Sequence, residues 1–356
     1  MRNFAMPAVL GALLLAVTGT SNDAAGQEPR RSSLANKPFQ SVVGQKSSLR
    51  GLIELARPIP KRAEFVGHFE AMELATRAYH ERLEPGSFVF GTNSLRRDYE
   101  RLNVLRIKGA ILTLSGQVQR ALFEPLAWQP VYHWQVLERA KAGRVRDVCE
   151  QTRRKLTADD WKGFQAVTYV NHQSKRIVVA IAGTDPESKA DLFNDWVALL
   201  GKTAPHFDVA CAYFQHVIRY YGSRFAGYSF ACSGHSLGGG ACSVAASRLG
   251  RVGIALNPIG THQLITGAVV ARRSMMANYI DPKDFALDLY KRFNRHPDGR
   301  IYWIAEKPIS LDLLQSFVQL LRRQPKISRL WESYLAHSAT LSLDRLAKIH
   351  KLRRLQ

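Results

Sequence analysis

Acidic residues are scarce in this sequence relative to basic ones. The 356 residues include 29 Asp and Glu against 50 Lys and Arg, which gives a formal net charge of +21. This balance predicts association with an anionic surface, either lipid headgroups or nucleic acid. The sequence lacks any aromatic or glycine-rich nucleic-acid-binding module, so we expect an anionic membrane surface as a partner and no nucleic acid. Solvation of an exposed face is the simpler explanation for any single basic cluster. The denser clusters are Arg30-Arg31, Lys61-Arg62, Arg144 to Lys155, Arg322-Arg323 and Lys348 to Arg354.

Cysteine is also rare, and its four occurrences do not have the spacing of metal ligands. We therefore expect no metal and no cofactor. Cys232 and Cys242 flank a predicted strand-to-helix turn, and we interpret them as small buried hydrophobic residues. Cys149 and Cys211 could pair, which the sequence alone does not establish.

The apolar run at the N-terminus, Ala5 to Val17, is too short to span a bilayer comfortably. It follows Arg2 and precedes small residues, as in the central part of a secretory signal. We therefore predict a signal peptide over residues 1–26, with an uncleaved N-terminal anchor as the alternative. The protein is then expected to be secreted, or to lie in the periplasm or cell envelope, with membrane anchoring as the alternative. Residues 27–62 are predicted to be a basic flexible linker.

The globular domain is predicted to span residues 63–350. Apolar residues recur at helical spacing from Phe65 to Tyr79, and residues 80–160 are predicted to be a helical insertion with one helix over Tyr132–Ala142. From Trp161 onward, β-branched runs alternate with helical stretches, which predicts an α/β fold with a mainly parallel sheet covered on both faces. Strands are predicted at 164–170, 176–181, 228–233, 252–257, 274–280 and 300–305, the first two as a hairpin, and helices at 191–200, 208–221 and 239–249.

The most informative stretch is a Gly-x-Ser-x-Gly sequence, Gly234-His-Ser236-Leu237-Gly238, between a predicted strand and a predicted helix. A strand that turns directly into a helix forces its central residue into strained backbone angles, and side chains two residues away on either side would clash. Such a turn exposes a serine hydroxyl as a nucleophile and places the following amide where an oxyanion forms. No Gly-Lys-Ser/Thr follows, so a phosphate-binding loop is not indicated.

A serine nucleophile needs a base, and on a turn of this kind the acid and then the histidine follow the serine along the chain, at strand ends. Asp281 and Asp284 both follow the strand that ends at Ile280, and one of them is expected to form the turn while the other orients the histidine. Beyond the last strand only His337 and His350 remain. His337 is preferred because His350 lies in a basic run that a solvated helix face explains.

Several of these segments resemble the class 3 lipases, the fungal-type lipase family of the α/β hydrolases. The elbow at 232–240 is similar to that family's Gly-His-Ser-Leu-Gly-Gly sequence, and the strand that ends at Thr184 is similar to its strand ending in Phe-Arg-Gly-Thr/Ser. Ala182 stands where the family usually has Arg. The resemblance implies an α/β-hydrolase fold and favours Asp284 over Asp281 as the acid. It also implies oxyanion donors at the amides of Thr184 and Leu237, and a lid position at Pro186–Asp195.

We therefore expect a serine esterase that hydrolyses a carboxylic ester of a lipid, as a lipase or a phospholipase A1-like enzyme, through Ser236, Asp284 and His337. The net positive charge favours a phospholipid over a neutral lipid. The alternative is a catalytically inactive binding protein with a hydrolase fold at an anionic membrane surface.

Overall fold

The structure is a computed structural model. It describes residues 56–57, 62–79, 85–86, 104–107, 110–113, 133–143, 145, 149, 155–183, 204–261, 275–284, 297–304, 337, 339, 342–343 and 345–346. The predicted signal peptide, most of the predicted linker and the predicted helix at 191–200 lie outside these residues.

Within the described residues, eight strands form the central sheet: β1 (Ala56–Arg57), β4 (Gln135–Arg139), β5 (Ala166–Asn171), β6 (Arg176–Ile181), β7 (Ser229–His235), β8 (Val252–Leu256), β9 (Met276–Ile280) and β10 (Arg300–Trp303). Their spatial order is β1-β10-β9-β8-β7-β6-β5-β4. Neighbouring strands from β1 across to β6 run parallel, whereas β5 and β4 add an antiparallel edge. A separate antiparallel pair consists of β2 (Val104–Ile107) and β3 (Ala110–Thr113). The predicted mainly parallel sheet is confirmed.

The hairpin of β5 and β6 forms because two β-branched runs are joined by a short polar turn. Within that turn Asn171 Oδ1 accepts a hydrogen bond from the Ser174 amide at 2.9 Å, and Lys175 adopts a left-handed conformation with φ 49°. Side-chain-to-backbone bonds of this kind favour turns over continued strand. The predicted hairpin is therefore confirmed.

Helices cover both faces of the sheet. They are α1 (Arg62–Arg77), α2 (Pro205–Gly222) and α3 (Leu237–Leu249). Successive residues of a strand point to opposite faces. Ile177 and Val179 of β6 therefore belong to the hydrophobic cluster that includes α2 and α3, while Val178 belongs to the cluster on the other face, which includes α1 and Leu343. Within the described residues, no helix combines the length and apolar character needed to cross a bilayer.

The helix predicted over Tyr132–Ala142 is wrong. Residues Gln135–Arg139 form β4 instead and pair antiparallel with β5. Burial alternates along β4, with Val136 and Glu138 buried, and the buried glutamate conceals the strand period in the sequence. The described parts of the predicted helical insertion are mainly β2, β3 and β4, with one 3₁₀-helix at Ala158–Trp161, rather than α-helices. The predicted linker also contains β1 at its C-terminal end.

Two disulfides cross-link the domain. Cys149–Cys211, here called the α2 disulfide, ties residue 149 to α2 across 62 residues of sequence. Cys232–Cys242, here called the elbow disulfide, joins β7 to α3 across 10 residues. All four cysteines are buried. Cys232 and Cys242 are buried, as expected from the sequence, and they also form a disulfide, because the turn between them brings the two side chains together.

Candidate active site

Ser236 is the single residue between the end of β7 and the start of α3. Its backbone has φ 55° and ψ −123°, a conformation that is costly for any residue other than glycine. Three backbone hydrogen bonds hold it there. The Ser236 amide donates to the Leu256 carbonyl at 3.2 Å, and the Ser236 carbonyl accepts from the amides of Gly240 and Ile259 at 3.1 Å each. The surrounding backbone therefore fixes the strained turn expected from the sequence.

Gly234 and Gly238 are required by close backbone contacts rather than by chain flexibility. A Cβ atom on Gly234 would lie 2.1 Å from the Gly238 carbonyl oxygen, and one on Gly238 would lie 2.2 Å from the Ala182 carbonyl oxygen. Both distances are far below van der Waals contact. Gly234 therefore allows β7 to pass close to the start of α3, and Gly238 allows the start of α3 to pack against the end of β6.

The structure brings His337 and Asp284 to this turn. His337 Nε2 lies 2.8 Å from Ser236 Oγ, and His337 Nδ1 lies 2.9 Å from each carboxylate oxygen of Asp284. The Asp284 side chain is fully buried. Because a carboxylate can only accept, Nδ1 carries the proton and Nε2 is left to accept from the serine hydroxyl. The three residues thus have the geometry of an activated serine.

Asp281 lies near Asp284 but has a different role. Its Oδ1 accepts from the Lys283 amide at 2.9 Å, and its backbone carbonyl accepts from the Asp284 amide at 3.0 Å, so it forms the turn that carries Asp284. Its Oδ2 is paired with the Arg345 guanidinium. Of the two candidate acids, the structure brings only Asp284 to the histidine.

Of the two predicted oxyanion donors, Leu237 is among the described residues and Thr184 is not. Leu237 is the first residue of α3, and first-turn amides of a helix have no intrahelical acceptor. Thr184, the lid position at Pro186–Asp195 and His350 lie outside the described residues. Gly183 is described, and a Cβ atom there would lie 3.0 Å from Ser236 Cβ, so the end of β6 passes directly beside the serine. Ala182, where the lipase family usually has Arg, donates its amide to the Gln165 carbonyl at 3.0 Å.

Sequence reasoning missed four residues around the site: Tyr79, His235, Asn257 and Arg345. His235 precedes the serine, and its ring contacts Tyr79 Oη at 2.7 Å and the His337 carbonyl oxygen at 2.8 Å. Burial, with a smaller contribution from the His337 charge, lowers the pKa of His235 to about 3, so its ring is neutral. The partners of these residues lie far away in the sequence: Tyr79 and His235 are 156 positions apart, and Asn257 and Ser342 are 85 positions apart. No sequence pattern signals contacts of this kind.

Asn257 follows β8 and links the segments that carry the acid and the base. Its Oδ1 accepts from the Asp281 amide at 2.9 Å, and its Nδ2 donates to Ser342 Oγ at 3.0 Å and, at 3.4 Å, to the His337 carbonyl oxygen. Its φ of 44° is left-handed, which asparagine tolerates better than most residues.

Among the described residues, no group of three or more His, Cys, Asp or Glu side chains could hold a metal ion.

Comparison with known proteins gives one family match and a set of distant structural likenesses. Residues 134–282 match the model of a phospholipase-like family, the Tle-like phospholipase domain. This range includes Ser236 but ends before Asp284 and His337. No curated protein matches the sequence significantly.

Among solved structures, the chain is similar to three fungal lipases. For Lip2 lipase from Yarrowia lipolytica the identity is 12%, the coverage 70% of this chain and 81% of that one, and the TM-score 0.38. Lipase II from Rhizopus niveus is 10% identical, with 69% of this chain and 82% of that one covered and a TM-score of 0.40. The lipase from Rhizopus microsporus var. chinensis is 12% identical, with 70% of this chain and 78% of that one covered and a TM-score of 0.39. Likenesses this distant say nothing about chemistry. The mainly parallel sheet with helices on both faces agrees with the α/β-hydrolase fold expected from the sequence. Over residues 134–282 the chain is similar to Tle-like phospholipases, which is consistent with the lipase-like resemblance seen in the sequence.

Proposed function

We propose that this protein is a serine carboxylic-ester hydrolase that acts on lipids, with lipase or phospholipase A1-like activity. The observation that carries the proposal is the continuous hydrogen-bonded series from Ser236 through His337 to Asp284, with contacts of 2.8 and 2.9 Å. The match of residues 134–282 to a phospholipase-like family supports a lipid ester as the substrate class.

In the proposed mechanism, His337 Nε2 takes the proton of Ser236 Oγ while the oxygen attacks the ester carbonyl carbon. The Asp284 carboxylate holds the imidazole in the required tautomer and stabilises the imidazolium that forms. The tetrahedral intermediate then collapses, the leaving alcohol takes the proton from His337, and an acyl group remains on Ser236. Water, deprotonated by His337, attacks this acyl-enzyme and releases the fatty acid.

We assign the oxyanion donors to the backbone amides of Leu237 and Thr184. The position of Leu237 at the first turn of α3 supports the first assignment. The second is supported by Gly183, the residue before Thr184, which lies against Ser236. Two amides directed at the developing negative charge are the usual means of stabilising this intermediate, and losing one such donor typically slows a hydrolase by 10²–10³-fold.

An active serine is tested by labelling the purified protein with a fluorophosphonate probe. Wild type is expected to take up one probe per chain, and Ser236→Ala none. Ser243→Ala is the matched control, because Ser243 is also a buried serine and lies in α3, the helix that follows the turn at Ser236. Full labelling of Ser236→Ala would refute the proposal. A folded wild type that takes no label would instead favour the inactive binding protein.

The substrate class is tested with vesicles of neutral and of anionic phospholipid and with triacylglycerol emulsions. The net charge of +21 supports a preference for anionic vesicles that weakens as salt screens the surface charges. Faster release of fatty acid from anionic vesicles at low salt, and a smaller difference at high salt, is the expected result. Equal hydrolysis of all vesicles at both salt concentrations would contradict the proposed anionic partner.

We also infer a secreted or periplasmic location. Two buried disulfides support it, because disulfides persist mainly in oxidising compartments. Residues 1–26 would then act as a signal peptide or as an N-terminal anchor, and cell fractionation followed by N-terminal sequencing distinguishes the two. Recovery of the reduced full-length chain in the cytosol would contradict this inference.

A further inference from the structure

A hydrogen-bonded series connects Tyr79, which follows α1, to the backbone of the candidate base. Tyr79 Oη lies 2.7 Å from His235 Nδ1, and His235 Nε2 lies 2.8 Å from the carbonyl oxygen of His337. We propose that His235 is a positioning residue, which fixes the backbone of His337 so that its ring reaches Ser236. This inference rests on the proposed function, because it assigns a role relative to the same serine and histidine.

The direction of each hydrogen bond follows from the acceptors. A carbonyl oxygen can only accept, so Nε2 of His235 must carry the ring proton. The ring is buried and neutral, so Nδ1 has no proton and accepts from the Tyr79 hydroxyl. Tyr79 therefore selects the tautomer of His235 that can donate to His337. In metal sites, a hydrogen bond to the far ring nitrogen of a ligating histidine likewise fixes its tautomer and orientation.

His337 needs such a contact because it comes from a distant part of the chain. It lies 101 residues after Ser236, and its side chain must hold two short hydrogen bonds at once. The other described contact to its carbonyl, from Asn257 Nδ2, is longer at 3.4 Å, so the 2.8 Å bond from His235 is the stronger restraint. Displacement of a catalytic group by about 1 Å can cost about 10²-fold in rate.

A purely structural role would also explain a buried, hydrogen-bonded histidine, so the variants must separate the two roles. In His235→Gln, the side-chain amide lies near the position of Nε2 and can still donate to the His337 carbonyl. In His235→Asn, the amide lies near the position of Nδ1 and can reach only the Tyr79 side. Both substitutions replace the ring by a neutral amide, and each keeps one of the two bonds. The pair therefore compares the loss of the bond to His337 with the loss of the bond to Tyr79.

The experiment measures kcat and KM on a soluble p-nitrophenyl ester, the rate of fluorophosphonate labelling, and thermal unfolding, all with the full-length protein. His235→Asn is expected to lower kcat and the labelling rate by about 10- to 100-fold with KM within about twofold, because binding does not involve the contact. His235→Gln is expected to retain at least about a third of the wild-type kcat.

The matched control is His206→Asn. His206 is also buried and also contacts a backbone carbonyl, that of Lys162, through Nε2 at 2.9 Å. The His206→Asn variant is expected to have a lower melting temperature, while its kcat stays within about twofold of wild type.

Tyr79→Phe supplies a second test if His235→Asn does not fold. It is expected to lower kcat by about three- to tenfold with unchanged KM, because both tautomers of His235 become accessible.

Equal kcat in His235→Asn and His235→Gln, or wild-type kcat in Tyr79→Phe, would overturn the positioning role while leaving the proposed function intact. A folded wild type that hydrolyses no ester and takes no label would overturn the proposed function and this inference together.

Discussion

The two neighbouring aspartates give opposite predictions for activity and stability. In Asp284→Asn the amide group can donate to His337 Nδ1, which forces the proton onto Nε2, and Nε2 can then no longer accept from Ser236. The Asp284 side chain is fully buried, and both of its oxygens lie 2.9 Å from Nδ1, so water cannot substitute for the lost carboxylate. A wrong tautomer in a comparable triad lowers kcat about 10⁴-fold, equivalent to about 5 kcal/mol in the activation free energy.

Asp281→Asn removes charge from a different interaction. The Asp281 side chain is 1% exposed and that of its ion-pair partner Arg345 is 11% exposed, so the substitution leaves a desolvated guanidinium without its counter-charge. Breaking a buried pair on one side costs about 3–5 kcal/mol of unfolding free energy. The new Oδ1 can still accept from the Lys283 amide, so the turn that presents Asp284 is retained and kcat is expected to stay within about tenfold of wild type.

The assay is ester hydrolysis at a temperature where all three proteins are folded, with urea unfolding of the same preparations. We expect Asp284→Asn to lose activity with the smaller loss of stability, and Asp281→Asn to show the reverse. If Asp281→Asn loses activity as completely as Asp284→Asn while still folded, the assignment of the acid is refuted.

Three further perturbations test the packing and charge state around the turn. Burial lowers the pKa of His235 from 6.5 to about 3, so below about pH 6.5 the unfolded chain binds a proton that the folded chain does not. Stability is therefore expected to fall by roughly 1 kcal/mol for each pH unit as the pH is lowered from about 6.5 towards 3, and urea unfolding should show a smaller fall in His235→Gln. Gly238→Ala is expected to lower the free energy of unfolding by at least about 3 kcal/mol, because its Cβ atom would lie 2.2 Å from the Ala182 carbonyl oxygen. The control is Gly222→Ala, whose Cβ atom would meet nothing within 4 Å and which should leave the melting temperature within about 2 °C of wild type. Equal melting temperatures in the two variants would contradict this packing. A disulfide stabilises a protein by restricting the unfolded chain, and the restriction grows with the length of the loop that it closes. Replacing both cysteines of the elbow disulfide, which closes 10 residues, is expected to lower the free energy of unfolding by about 3 kcal/mol. Replacing those of the α2 disulfide, which closes 62 residues, should lower it by about 4 kcal/mol, and the reverse order in urea unfolding would contradict this explanation.

The parts of the fold that the sequence predicts are those with a local cause. The elbow has strand, turn and helix signals within one short stretch, and the hairpin of β5 and β6 has two β-branched runs around a polar turn, so both are visible without the rest of the chain. Strand order limits the candidate acid to two aspartates, and the family resemblance favours Asp284. The structure supports that choice because Asp284 contacts His337 whereas Asp281 is bonded to its own turn and to Arg345.

The parts that the sequence does not predict depend on long-range contacts. β4 contains good helix formers such as Leu137 and Glu138, and it becomes a strand because it pairs with β5 and buries Trp134 and Val136 on the sheet. The role of His235 depends on a carbonyl 102 positions away. The elbow disulfide depends on the turn geometry that brings its two cysteines together.

The proposed site draws on chain segments that are synthesised far apart in time. Tyr79 lies near the start of the described domain, Ser236 in its centre, and His337 in its last described segment. A nascent chain on the ribosome would therefore contain the nucleophile long before its base, and could hydrolyse nothing until the segment with His337 has emerged and docked. The fragment that matches the phospholipase-like family, residues 134–282, contains Ser236 but neither Asp284 nor His337. Under the proposed mechanism, this fragment expressed alone would lack both the acid and the base and would be inactive.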